Sequence, residues 1–363
     1  MANKFIFIGT IGKTKNRELF EHVTQTKTGK AVDIAKFNAM MRSGTNTEFV
    51  ECVGFGGRDI KFRNDKKEDV TIPWADRNSK EVLAQLPRAR KFYADLGEEH
   101  GGPKEFPTSY DFAAYLGAEL ANFDARVRVS GYMTRRFYNG VSTNQFSVSS
   151  IRLAKENEAD KMVISNDIYF TQDALDENDF STAKMIHVSG YIMQYIDKDH
   201  GNMYVPMSFN LSAQGLDLND RLIKKRFVAK RDSFKVPAGK VYHMAWISDV
   251  LNGVEEAQFD ESMLTDFQKA MIEMGENTID DFRPVGSVYG DRITDVRLAK
   301  MNATGQFANG VVDSEMTEDE FMAKIYTGPA QTQTEKPAAK NEPAKAAPDT
   351  DPEFDEGADD LFA

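Results

Sequence analysis

The chain has 363 residues, 41% hydrophobic and 28% charged, with a formal net charge of −12; this excludes a fully disordered or fibrous protein and leaves room for two ordinary cores. No apolar run approaches the ~20 residues of a membrane helix, and the opening MANKFIFIGTIGK lacks both the length and the cleavage site of a secretion signal. A single cysteine, Cys52, excludes an internal disulfide framework and suits a reducing cytoplasm; with five scattered histidines it gives no metal-ligand spacing, so no metal and no cofactor are expected.

The charge is unevenly spread. Residues 1–158 hold 25 Lys+Arg against 20 Asp+Glu, residues 159–327 hold 17 against 28, and residues 328–363 hold 3 against 9. An electrostatic case for a polyanion partner therefore exists for the first segment alone.

In chain order, FIFIGTI (5–11), ELFEHVTQ (18–25), VDIAKFNAMM (32–41) and EFVECVGF (48–55) read as strands. Residues 57–108 change character, with five Gly and Pro between 97 and 107 and a helix expected near Lys80–Leu96. SYDFAAYLGAELANF (109–123) has amphipathic helical spacing, with Ser109 as the expected N-cap. Two strands follow, 125–137 and 141–154, joined by a YNG turn. Three strands, a helix and two strands, with glycine inside the first, is the order of a five-stranded OB barrel.

A weak repeat extends this reading, since SIRLAKEN (150–157) recurs as DVRLAKMN (295–302). Each copy follows a helix, the second of them ESMLTDFQKAMIEMG (261–275), and a glycine-containing segment. MIHVSGYIMQYI (185–196), MYVPMSFNLSA (203–213) and KVYHMAWISDV (240–250) then read as the first three strands of a second unit, with KMVISNDIYF as a bridge. The expected fold class is mainly β with some α, as tandem OB-fold-like five-stranded barrels. The first domain spans 1–157 with the insertion 57–108 after its third strand, and the second spans 158–304. Residues 305–350 form an increasingly flexible linker, Pro- and Ala-rich after Thr327, and 351–363 an acidic tip of a disordered tail.

Strand parity puts Phe49 and Phe55 on one face with Glu51, followed by Arg58 and Lys61. The hairpin run Arg135, Arg136, Phe137, Tyr138 repeats the aromatic–basic theme. Rings for base stacking beside cations for phosphates would suit a single-stranded nucleic acid; core packing is the competing reading for Phe49, Phe55 and Phe137. For Trp246 the core is the favoured reading.

NKFIFIGTIGK, FNAM, TEFVECVGFG, AAYLGAELA, VRVSGYMTRRFYNG and SIRLA together resemble the bacterial and phage single-stranded DNA-binding protein family, over about 100 of the first 157 residues. The resemblance implies stacking by Phe49, Phe55 and Phe137, Phe standing at the first and last where Trp is usual, and basic contacts from Lys4, Arg135 and Arg136. It also implies that the acidic end, with Asp359, Asp360, Leu361 and Phe362, docks replication and repair proteins, although Ala363 follows the ring that ends the family's tip. The insertion 57–108 and the acidic second domain depart from the simple family pattern.

The expected function is sequence-independent binding and protection of single-stranded DNA in replication, recombination or repair, without catalysis. The chain shows neither a phosphate-binding G-x-x-x-x-G-K-[ST] nor an H-E-x-x-H. The tail would compete for the basic face and recruit partners through its tip. A homodimer follows by analogy, with no membrane association and a bacterial cytoplasm, or a host's if phage-encoded, as location; a phage source is preferred. The alternative is an OB-fold adaptor of a replisome or phage assembly that binds no DNA itself.

Overall fold

The computed structural model describes residues 3–27, 30–138, 141–256, 264–275, 278, 282 and 289–328, all in one compact unit, Met1–Gly328. The expected tail, the tip of the YNG turn and much of 257–288 lie outside the described residues.

The first half contains β1 (Lys4–Gly12), β2 (Phe20–Lys27), β3 (Lys30–Ser43), β4 (Asn46–Phe55), β5 (Asp59–Arg63), β6 (Asp69–Pro73), α1 (Lys80–Gln85), β7 (Phe92–Asp95), β8 (Lys104–Phe106), α2 (Ser109–Glu119), β9 (Val127–Tyr138) and β10 (Val141–Leu153). Pairing runs β1–β3–β4–β10–β9 and back to β1, with β4 and β10 parallel at Glu51 and Ser147. That is a closed five-stranded OB barrel. Phe5, Phe7 and Phe146 meet at its centre with ring centroids 4.7–5.3 Å apart. Where β1 passes from β9 to β3, a Cβ on Gly9 would overlap the Arg42 carbonyl, so the crossing requires glycine.

The insertion folds in two parts. β5 and β6 form a separate hairpin that packs with α1 around Phe62, Ile72, Val82 and Leu86. β7 and β8 instead join the barrel sheet beside β10. The helix expected over 80–96 stops at Gln85, because Pro87 holds Leu86 extended (φ −70°, ψ 127°). The N-cap of α2 is Thr108, one residue before the expected Ser109; its hydroxyl accepts the Asp111 N–H.

The second half contains β11 (Lys161–Phe170), β12 (Leu175–Asp176), α3 (Phe180–Ala183), β13 (Met185–Tyr195), β14 (Asn202–Ser212), α4 (Arg221–Asp232), β15 (Lys240–Glu256), α5 (Asp266–Glu273), β16 (Tyr289–Met301), β17 (Val312–Thr317) and α6 (Glu318–Met322). β11–β13–β14–β16–β15 closes on β11, with β14 and β16 parallel at Asn210 and Arg297. The repeat is thus a repeated barrel, and SIRLA and DVRLA lie in the last strand of each. The strand assignment is corrected by one: the expected bridge KMVISNDIYF is the first strand, and KVYHMAWISDV is the fourth. The counterpart of α2 is α4, while α5 lies between β15 and β16. Trp246 is buried in this core, stacked 5.7 Å from Phe234.

The barrels share one sheet through β1 and β11, which pair antiparallel as Lys4↔Ser165, Phe5↔Ile164, Ile6↔Val163, Phe7↔Met162 and Ile8↔Lys161. Aligned as first strands, KFIFI and KMVIS are related by a twofold through Ile6 and Val163. Asn166 Nδ2 donates to Asn3 Oδ1 (3.0 Å) across this seam, and Asn3 Nδ2 donates to the Met193 carbonyl (3.2 Å). Two amides repeat the connection on either side. Gln194 exchanges two hydrogen bonds with the Arg135 backbone (2.7 and 3.0 Å), and Asn46 Oδ1 accepts the Asn252 N–H (3.1 Å). Residues 154–160 are held to the first barrel by Arg128 and Arg152 on Glu158 (2.7 Å each) and by Arg126 on Asp160.

Residues 305–328 continue past the second barrel as a strap. β17 pairs with the start of β15, and α6 buries Phe321 among Tyr169, Tyr191 and Tyr204. The Tyr326 N–H then donates to the Tyr204 carbonyl (2.8 Å). No helix among the described residues is long and apolar enough to cross a membrane.

Candidate nucleic-acid interface

Alternation along β4 turns Val50, Cys52 and Gly54 inward and Phe49, Glu51, Val53 and Phe55 outward. Burial pushes the Cys52 thiol up to about 12, and Cys52 Sγ donates to the Ser109 carbonyl (3.6 Å); it is a packing residue. Phe49 is half-buried with the Arg17 guanidinium 5.2 Å from its ring centroid. Phe55 is 40% exposed, and Tyr132, on the outer side of β9, is 41% exposed.

Between these rings runs a polar strip. Thr134 Oγ1 donates to Gln145 Oε1 (3.4 Å), Gln145 Nε2 donates to Glu51 Oε1, and Glu51 faces Asn38 in register. Glu51 is 8% exposed, and Asn38 is buried with its Nδ2 unpaired. Lys36 lies next along β3, and Lys4, exposed, pairs in register with Tyr132.

The same alternation divides the hairpin run, which the sequence reading treated as one site. Arg136 and Tyr138 share the outer side of β9 with Tyr132 and Thr134. Arg135 and Phe137 take the opposite side, towards the second barrel. Arg135 Nη1 donates to Asn144 Oδ1 (2.7 Å) and Nη2 to the Ser142 carbonyl (3.2 Å), while burial pushes its guanidinium below its ordinary range. Phe137 meets the Tyr326 ring edge-on at 5.5 Å, and Gly328 packs on the same ring. His200 stands 5.4 Å beyond Tyr326.

Arg58 and Lys61 are exposed. Lys61 belongs to the separate β5–β6 hairpin, and the turn that follows it, residues 74–77, docks on α2. There Arg77 makes a bidentate pair with Asp111 (2.9 Å) and lies 4.2 Å over the Trp74 ring, itself edge-on to Tyr110 at 5.7 Å. Asp359, Asp360, Leu361 and Phe362 lie outside the described residues.

Phe49 and Phe55 thus share one surface with Tyr132, Arg17, Lys36 and Arg136, of which the sequence reading had only Arg136. Tyr132 was accessible to the parity argument, being the residue after the inward-facing Gly131 on an alternating strand. Arg17 was not, because its loop closes over Phe49 only in the fold.

On the second barrel, the exterior polar groups of β13, β14 and β16 pair with one another. Arg297 Nε donates to Asp295 Oδ2 (2.8 Å), Asn210 Nδ2 to Asp295 Oδ1 (2.6 Å), and His187 lies between Asn210 (2.6 Å) and Asp179 (2.9 Å).

No protein-family model and no curated protein matches the chain. Among solved structures, a deletion mutant of the single-stranded DNA-binding protein from Thermus aquaticus aligns with a TM-score of 0.28 and 10% identity, over 69% of this chain and 87% of that one. A likeness of that size carries no argument.

Proposed function

We propose that this chain belongs with the single-stranded DNA-binding proteins and coats single strands without sequence preference, in a non-catalytic role. One observation carries the reading: the first barrel's exterior sets Phe49, Phe55 and Tyr132 beside Arg17, Lys36 and Arg136. Rings accept any base face, at roughly 1–3 kcal/mol per base by alanine substitution, and the cations release counterions from the backbone. The balance of residues 1–158, 25 cations to 20 acids, agrees with this partner.

The acidic end, with Asp359, Asp360, Leu361 and Phe362, would recruit replication or repair proteins. The test is titration of the purified protein with oligo-dT, the matched duplex and RNA, read by fluorescence anisotropy. Tight binding of the single strand is expected, and equal affinity for the duplex would sink the idea. The adaptor reading draws on the excess of 28 acids over 17 cations in residues 159–327. It predicts no binding in any arm of that titration.

A further inference from the structure

Within that acidic stretch, α4 gathers Arg221, Lys224, Lys225, Arg226, Lys230 and Arg231 into twelve residues whose one acid is Asp232. The fold sorts these cations. Lys230 Nζ donates to the Ala299 carbonyl (2.9 Å), and Arg231 pairs with Asp232 (2.8 Å) and Glu177 (3.6 Å). Arg221, Lys224, Lys225 and Arg226 are exposed. The side chains of the first three make no hydrogen bond or ion pair among the described residues, and Arg226 has the capping carboxylate of Asp220 as its electrostatic neighbour.

This arrangement works against the helix. Arg221 lies three and four residues from Lys224 and Lys225, a spacing at which like charges repel. Cations in the first turns also oppose the helix dipole, whereas Lys230 and Arg231 at the far end agree with it. Phe227 is the one buried residue of α4, so these cations add nothing to the core.

We propose that the exposed face of α4 is a second nucleic-acid contact, which takes the sugar–phosphate backbone of a strand already held on the first barrel. The inference rests on the proposed function. The exposed face has no ring, and its one large exposed apolar residue is Leu222, at 56%. A phosphate chain needs only the charges, while an acidic protein segment would need apolar anchors to bind tightly.

The test is the triple variant Arg221→Gln, Lys224→Gln, Lys225→Gln, glutamine having a helix propensity close to that of lysine and arginine. It is titrated across salt with oligo-dT of about 15 nucleotides, near one barrel's site size, and of about 60 nucleotides. The longer strand should lose about 2 in log–log salt slope, at about 0.7 for each of three phosphates, while the short strand is unaffected and the melting temperature does not fall.

An unchanged long-strand slope beside intact short-strand affinity overturns the α4 surface and leaves the function standing. Equal loss on both lengths overturns it as a separate contact. Failure of the unaltered protein to bind the short strand overturns the function, and this inference with it. Polyglutamate that binds the unaltered protein but not the variant, at constant long-strand slope, reassigns the face to an acidic protein.

Discussion

At the scale of residues, alternation decides most of the candidate site. It was legible in β4, where Phe49, Glu51 and Phe55 fall on one side as the spacing requires. Applied to the hairpin, the same rule separates Arg136 and Tyr138 from Arg135 and Phe137. What covers Phe137 was not legible, because Tyr326 and Gly328 are distant in sequence and arrive through the strap. Phe49→Ala should weaken oligo-dT binding by roughly 1–3 kcal/mol with an unchanged salt slope, whereas Arg17→Gln should flatten the slope by about 0.7; anisotropy across salt separates the two. Glu158 gives a pH prediction. Hydrogen bonds from Arg152, from the Lys155 N–H and from Arg128 hold its carboxyl down at about 2, against an ordinary 4.5. A depressed acid stabilises the fold above its unfolded pKa and loses that contribution as pH falls through the folded one. Glu158→Gln should therefore lower the melting temperature at neutral pH, and the gap from the unaltered protein should close between pH ~4.5 and ~2.

At the scale of elements, strands were more legible than their roles. Alternating runs marked nearly every barrel strand, yet periodicity could not tell a bridge from a first strand, so the second barrel was read one strand late. α4 escaped because Phe227 is its one buried residue and no apolar stripe betrays it. α2 shows the opposite case, with Phe112, Ala113 and Leu116 buried and a cap that also fixes the insertion through Asp111 and Arg77. Thr108→Ala should cost about 1 kcal/mol in chemical denaturation. The strap is tested at Gly328, where φ is +107° and an added Cβ would stand 3.2–3.3 Å from the Phe137 side chain, so a side chain there is both strained and crowded. Gly328→Ala should speed hydrogen exchange of the Tyr326 amide while leaving the amides of β1 and β11 protected.

At the scale of the molecule, the halves are joined by backbone pairing and buried amides rather than by a tether. Asn166→Ala should cost about 1 kcal/mol, since it strands Asn3 Oδ1 in the seam while also removing the unpaired Asn166 Oδ1; one cooperative denaturation transition at a lower midpoint is the expected observation. The seam also has a symmetry of its own. Its register maps each strand onto the other about Ile6 and Val163, the form that contact takes when two identical barrels meet as an isologous pair. One chain thus contains within itself the strand contact that two separate barrels would make as a symmetric pair. Residues 1–157 made alone would present the uncovered edge of β1 to a second copy, and sedimentation should find them in pairs.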